Sequence, residues 1–166
     1  MFRGTVVSIH VAVEKGEPIR LVDAIEAIPG QGLDGDRYAT RAAASEVEHA
    51  DREVTLVESE ALEALARDYG IEMAPWETRR NLATRDVPLN HLVGRSFRVG
   101  GATLEGLRLC EPCGYMERMS GKRVVPGLVH RGGLRARILS AGRIRVGDTV
   151  EPVSGSAPEP PGPPRA

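Results

Sequence analysis

Residues 96–109 read SFRVGGATLEGLRL. The stretch reads as two strands broken at Gly100-Gly101, a dipeptide that turns a chain. On its C-terminal side, residues 134–152, LRARILSAGRIRVGDTVEP, give two more strands, with a turn at Ser140-Ala141-Gly142, a bend at Gly147-Asp148 and alternating Ile144 and Val146. On its N-terminal side, REVTLVES contains another strand at residues 54–57. Further upstream, GTVVSIHVAVE places Val7, Ile9, Val11 and Val13 at period two, which predicts that they face one side. After a KGEP turn, PIRLVDAIEAI alternates Ile19, Leu21, Asp23 and Ile25 with Arg20, Val22 and Ala24. These two stretches are expected to pair antiparallel.

Helices are few. Ser59 is the expected cap of one, Leu62, Leu65, Ala66 and Tyr69 form its apolar stripe, and Gly70 stops it. A shorter helix is expected from Glu111-Pro112 through Met119, since proline suits a first turn. Residues 126–131 fit neither pattern. Six or seven short strands with many glycine turns predict a mainly β fold with a few helices (α+β), a small β-barrel with inserted helices. Regular strand–helix alternation, a G-x-G-x-x-G run and a Walker loop are all missing, which argues against a parallel α/β sheet.

The chain has 166 residues, enough for one domain with its own core. A net charge of -1 gives no sign of a nucleic-acid or membrane partner. Aromatic residues at 4% argue against base-stacking platforms. No apolar run approaches the ~20 residues of a membrane span, and the N-terminal stretch lacks the continuous apolar segment of a signal peptide. Two cysteines without a secretory signal point to a reducing, cytoplasmic compartment. Residues 152–166 hold half of the 12 prolines and almost no apolar bulk. They read as a disordered Pro-rich tail, with a PxxP ligand as the alternative, so the folded domain is expected over residues 1–151.

Three stretches carry candidate chemistry. In GLRLCEPCGYMERMSGK, residues 106–122, Cys110 and Cys113 form a C-x-x-C. Zinc wants four ligands, and His10, His49, His91 and His130 are scattered along the chain. Thioredoxin-type exchange wants a βαβ frame, which is missing. Two thiols buried as small hydrophobes are another reading. The last is a reactive or ligating thiolate, with Arg108, Arg118, Lys122 and Arg123 near enough in sequence to favour it.

The second stretch is GQGLDGDRYATR, residues 30–41. Its three glycines permit positive φ and close approach to a ligand, and Asp34, Asp36, Arg37 and Arg41 supply both signs of charge. The third is ETRRNLATRD. Arg79, Arg80 and Arg85 suit phosphate or carboxylate, and Asn81 donates and accepts. In an extended chain Arg79 and Arg80 would point to opposite sides.

Taken in order, GLDGDRYA, REVTLVESEALE, RRNL, LVGRSFRVGGATLEGLRLCEPC and GLVHRGGLRARILSAGRIRVGDTV resemble the MOSC family. This is the domain found at the C-terminus of molybdenum-cofactor sulfurases and in stand-alone bacterial proteins. The resemblance spans roughly residues 4–150. It implies a MOSC-type β-barrel and one functional cysteine that carries sulfur as a persulfide or ligates molybdenum. The P-C context matches one branch of the family at Cys113, and the R-x-C context loosely matches another at Cys110. Cys113 is the expected working thiol and molybdenum ligand.

The implied cofactor is the molybdenum cofactor, a small anionic ligand. Gly32, Gly35, Asp36, Arg37, Arg80 and Asn81 would line its cleft, with His130 as relay or second donor. The implied partners are a cysteine desulfurase or a molybdoenzyme. Family members are also associated with pyridoxal phosphate binding. The alternatives are reduction of N-hydroxylated compounds by bound molybdenum cofactor and a non-catalytic structural or zinc-binding module.

Overall fold

The computed structural model describes residues 1–42 and 52–154. Seven strands close a barrel: β1 (Gly4–Val11), β5 (Val54–Glu58), β6 (Leu82–Arg85), β7 (Ser96–Val99), β8 (Ala102–Leu109), β9 (Leu134–Ser140) and β11 (Thr149–Pro152). Around the ring the order is β1, β6, β5, β9, β8, β7, β11 and back to β1, the last join made by Gly4 opposite Val150. Outside the ring, β2 (Arg20–Val22) extends β1, while β3 (Ala24–Ile28), β4 (Gly32–Leu33) and β10 (Gly142–Arg145) form a separate three-stranded sheet.

The joins are antiparallel except β5–β6, which run parallel with Leu56 opposite Leu82. The helix α2 (Ser59–Tyr69) lies between them in sequence, because parallel neighbours need a crossover rather than a hairpin. The core fills the ring with Ile9, Leu56, Leu82, Phe97, Leu104, Leu134 and Val150, all buried. A second cluster joins Leu62 and Leu65 of α2 to Met116 of α3 (Gly114–Ser120) and Leu128 of α4 (Val125–Leu128). A six-residue helix, α1 (Arg37–Ala42), is the fourth among the described residues.

The opening stretch folds as read: β7 and β8 are a hairpin turned at Gly100-Gly101. The expected pairing of the first two strands also occurs, with Ile9 opposite Val22. Other expectations need correction. Val7 and Val13 are exposed, and Val6, Ile9 and Val11 point inward. A bulge between Val6 and Ser8 adds one residue and flips the phase of everything before it. The chain leaves β1's edge at Asp23, so residues 18–28 form two short strands in different sheets.

Residues 134–152 give three strands, not two, and Val146 is exposed beyond the end of β10. Pro152 pairs with Phe97 inside β11, one residue past the expected domain boundary. The rest of the expected tail, residues 155–166, lies outside the described residues, as does His49. Ser59 is buried as the first helical residue and caps nothing; Glu58 holds the cap position. Tyr69 is exposed, and Gly70 ends the helix with φ 66 as expected. The Cys-x-x-Cys helix starts at Gly114 with Cys113 at its cap, leaving Pro112 outside.

Candidate functional site

Arg80 organises the site. It precedes β6 and follows a 3₁₀ turn at Pro75–Thr78. Between them Arg79 adopts φ 59, a left-handed conformation uncommon for a residue with a side chain. That single residue breaks the extended geometry, so Arg79 and Arg80 line the same cleft instead of opposite faces.

The Arg80 side chain is buried and reaches main-chain oxygens of three segments. Nε donates to Gly132 O at 2.9 Å, Nη2 to Cys110 O at 2.9 Å and Glu111 O at 3.2 Å, and Nη1 to Thr78 O at 3.4 Å. Burial lowers its pKa; the Cys110 thiol opposes that, Arg135 adds to it, and Cys113 and Tyr38 oppose it. Among the described residues no carboxylate pairs with it.

The loop it holds can approach because of two glycines. A Cβ on Gly132 would lie 2.6 Å from Cys110 O and 2.8 Å from Pro112 Cδ. At Gly133, with φ 124, it would lie 2.1 Å from Leu56 O. Gly133 O in turn accepts from Cys110 N at 2.8 Å. The C-x-x-C segment is thereby seated on β9's entry and on Arg80.

Both cysteines are free thiols, Cys110 at 2% exposure and Cys113 exposed to solvent. They line one cleft of about 90 Å³ with Arg37, Arg79, Arg80 and Arg135, and with Tyr38, Tyr115, Thr55, Thr78 and Met116. No carboxylate is among those lining residues. Cationic density therefore comes from residues far from the cysteines in sequence. Arg118, Lys122 and Arg123 line a separate depression with Gly114 and Glu117, and Lys122 pairs with Glu77 at 2.9 Å. Among the described residues, no three His, Cys, Asp or Glu side chains gather as a metal set, so the pair lacks a closed zinc site there.

The other expected site residues divide. Arg37 lines the thiol cleft and donates through Nη2 to Tyr38 Oη at 2.8 Å. Asp36 lines only a small adjoining cavity of about 10 Å³. Its Oδ1 accepts from Ala12 N at 3.1 Å and Oδ2 from Tyr38 N at 3.4 Å, tying the end of β1 to α1. Burial raises its pKa against those bonds.

Asn81 serves the scaffold rather than a ligand. Its Oδ1 accepts from Thr55 N and Oγ1 at 3.0 and 3.1 Å, and Nδ2 donates to His10 O at 3.2 Å. Gly32 and Gly35 line neither cavity; their φ values of 123 and 86 set the path of the loop. His130 is surface-exposed, with Nδ1 3.3 Å from the Glu111 carboxylate, and is not among the cleft residues. The Arg41 side chain lies outside the described residues.

Sequence reasoning passed over Tyr115, Tyr38 and Arg135. The Tyr115 hydroxyl is buried without a hydrogen-bond partner among the described residues, and so is Arg79 Nε. Arg79 and Lys15 lie over the Tyr115 ring at 5.8 and 5.6 Å from its centroid. Nothing in GYMERM marked that tyrosine. Arg135 had a usable signal: it sits one residue after Leu134, so in β9 it faces away from the barrel core.

The model of the MOSC domain matches residues 33–151. The chain belongs to the MOSC domain family. Solved structures share the fold across nearly its whole length. YuaD of Bacillus subtilis aligns with a TM-score of 0.76 at 18% identity, covering 91% of this chain and 97% of that one. YiiM of Geobacillus stearothermophilus aligns at 0.68 and 15% identity, covering 91% and 75%. YiiM of Escherichia coli aligns at 0.64 and 19% identity, covering 95% and 72%. Comparison with curated protein sequences finds no match. In this MOSC domain no described helix is long and apolar enough to cross a membrane.

Proposed function

We propose that this MOSC protein carries sulfur on the Cys113 thiolate, inside a cleft built to hold negative charge. One observation carries the reading: among the described residues an exposed thiol shares a small cleft with four arginines and no carboxylate. Four like charges in such a space repel one another, as the effect of Arg135 on Arg80 illustrates. An anion there offsets the repulsion, and a thiolate, a persulfide and an oxyanion all qualify. Cys113 is the accessible sulfur; Cys110 is buried behind it.

In the transfer step the Cys113 thiolate attacks the outer sulfur of a donor persulfide. A new S–S bond forms on Cys113, the donor's S–S bond breaks, and the donor leaves as a thiolate. A cysteine desulfurase is the proposed donor.

A second reading is molybdenum-cofactor binding, which the cleft fits in part. A soft thiolate at Cys113 suits molybdenum, and Arg37 and Arg79 suit the cofactor's phosphate. The cleft's 90 Å³ is well short of the ~300 Å³ at which enclosed ligand sites begin. The observation that keeps this reading is a groove of about 390 Å³ that shares Arg79 with the cleft and exposes Trp76 and Met119. The bulk of a larger ligand would lie there. Bound in this way, the cofactor would supply two-electron reduction of N-hydroxylated compounds.

Radiolabelled sulfur from cysteine, offered through a desulfurase to wild type, Cys110→Ser and Cys113→Ser, tests the first reading. Label should remain on the first two and vanish from the third. Equal labelling of Cys113→Ser would refute it. Molybdenum and pterin analysis of freshly purified protein decides the second reading: stoichiometric molybdenum, lost in Cys113→Ser, would favour it.

A further inference from the structure

We infer that the cleft takes sulfur directly from a compact sulfur oxyanion bearing a sulfane sulfur, the chemical class of thiosulfate. The inference rests on the carrier reading of Cys113 and adds the identity of the donor.

Size points this way first. About 90 Å³ accommodates a tetrahedral oxyanion of four or five heavy atoms and little more. Charge agrees: among the described residues the walls carry arginines and no carboxylate. Acids next in sequence to cleft residues are engaged by main chain, Asp36 accepting from Ala12 N at 3.1 Å, Glu111 from His130 N at 2.9 Å and Glu117 from Val125 N at 3.0 Å.

The decisive feature is a pair of donors with nothing to donate to. Tyr115 Oη and Arg79 Nε are buried and lack partners among the described residues, and both residues line the cleft. Buried donors are almost always satisfied, so two in one small cleft point to an acceptor that arrives with the ligand. A thiolate or persulfide alone does not explain them, since those charges sit on Cys113 itself. Oxygens of a bound oxyanion do. Arg80 contributes charge, because four of its five N–H groups already donate to carbonyls.

The reaction balances without a further reagent. The Cys113 thiolate attacks the outer sulfur of thiosulfate and forms an S–S bond. The S–S bond of thiosulfate breaks, and its electron pair leaves with sulfite. Cys113 is left as a persulfide, and total charge is unchanged. As the bond breaks, negative charge grows on the sulfite oxygens, where Tyr115 and Arg79 donate. Cys110, at 2% exposure, stays out of the step.

The test uses the full chain with thiosulfate, measuring sulfite released and sulfur added to protein by mass spectrometry. Cyanide then regenerates the thiolate as thiocyanate, giving turnover. Wild type and Cys110→Ser should release one sulfite per protein in the first turnover, and Cys113→Ser none. Tyr115→Phe and Arg79→Gln, checked for native circular dichroism, should each lower the rate at limiting thiosulfate by roughly 10- to 100-fold. If a desulfurase loads Cys113 and thiosulfate does not, the proposal falls and the carrier reading stands. Failure of both donors removes both. Loading by thiosulfate that is indifferent to Tyr115→Phe and Arg79→Gln overturns the assignment of the oxyanion site.

Discussion

Replacing Arg80 with lysine keeps the positive charge and removes the fork. Four N–H···O bonds leave the guanidinium, two of them at 2.9 Å, and they end on Thr78, Cys110, Glu111 and Gly132. A single ammonium cannot reach both Gly132 O and Cys110 O from the directions that Nε and Nη2 use. A hydrogen bond from a charged donor contributes about 1.5–3 kcal/mol, and losing one strong bond with part of a second costs about 2–4 kcal/mol. For a domain of this size that is a fall in Tm of roughly 4–16 °C. Guanidinium unfolding should show the loss in midpoint with the slope unchanged. The same variant should expose Cys110, because its carbonyl and that of Glu111 are no longer held. Iodoacetamide labelling followed by peptide mapping reads that directly. A stability change below about 0.5 kcal/mol, with Cys110 still protected, would refute the view of Arg80 as the clamp of the thiol loop.

Three further outcomes follow from the same geometry. Gly133→Ala puts a Cβ 2.1 Å from Leu56 O at a φ of 124, so it should cost at least about 3 kcal/mol in urea unfolding or prevent folding. Tyr115→Phe removes a hydroxyl that has no partner among the described residues, so its stability should be unchanged or higher by up to about 1 kcal/mol, and a loss would show that the hydroxyl serves the fold. His10 is buried, with Nδ1 donating to Arg80 O at 2.8 Å and Nε2 accepting from Ser8 Oγ at 2.7 Å. Burial lowers its pKa below 6.5, against the Arg80 carbonyl, so the unfolded chain protonates first. Stability should therefore fall as pH drops below 6.5, by up to about 1.4 kcal/mol per unit, and His10→Asn should flatten that slope in urea titrations.

Much of the barrel was legible because strands at a glycine turn carry their own signal. The hairpin at Gly100-Gly101 and the helix stop at Gly70 depend on a few adjacent residues and emerge where expected. The face of β1 was not legible: Val7, not Val6, fits the period of Ile9 and Val11, and the bulge that turns Val6 inward instead is set by pairing with β6. The site shows the same division. The C-x-x-C, Arg37 and Arg80 could be picked out by residue type, and the fold gathers them in one cleft.

Their roles were less legible. Arg80 and Asn81 both looked like ligand donors, yet tertiary contacts engage them with main-chain groups from distant segments. Arg79 was expected to point away from Arg80, and only its left-handed φ reverses that. Tyr115 needed the structure altogether, since an unpartnered hydroxyl is a property of its surroundings.

The most direct test of the central claim is where sulfur lands. Wild-type protein, loaded by a desulfurase with cysteine and then alkylated and digested, should carry the added sulfur atom on the peptide containing Cys113, with Cys110 alkylated only after unfolding. Sulfur found on Cys110, or on neither cysteine under conditions that load a known carrier, would contradict the account.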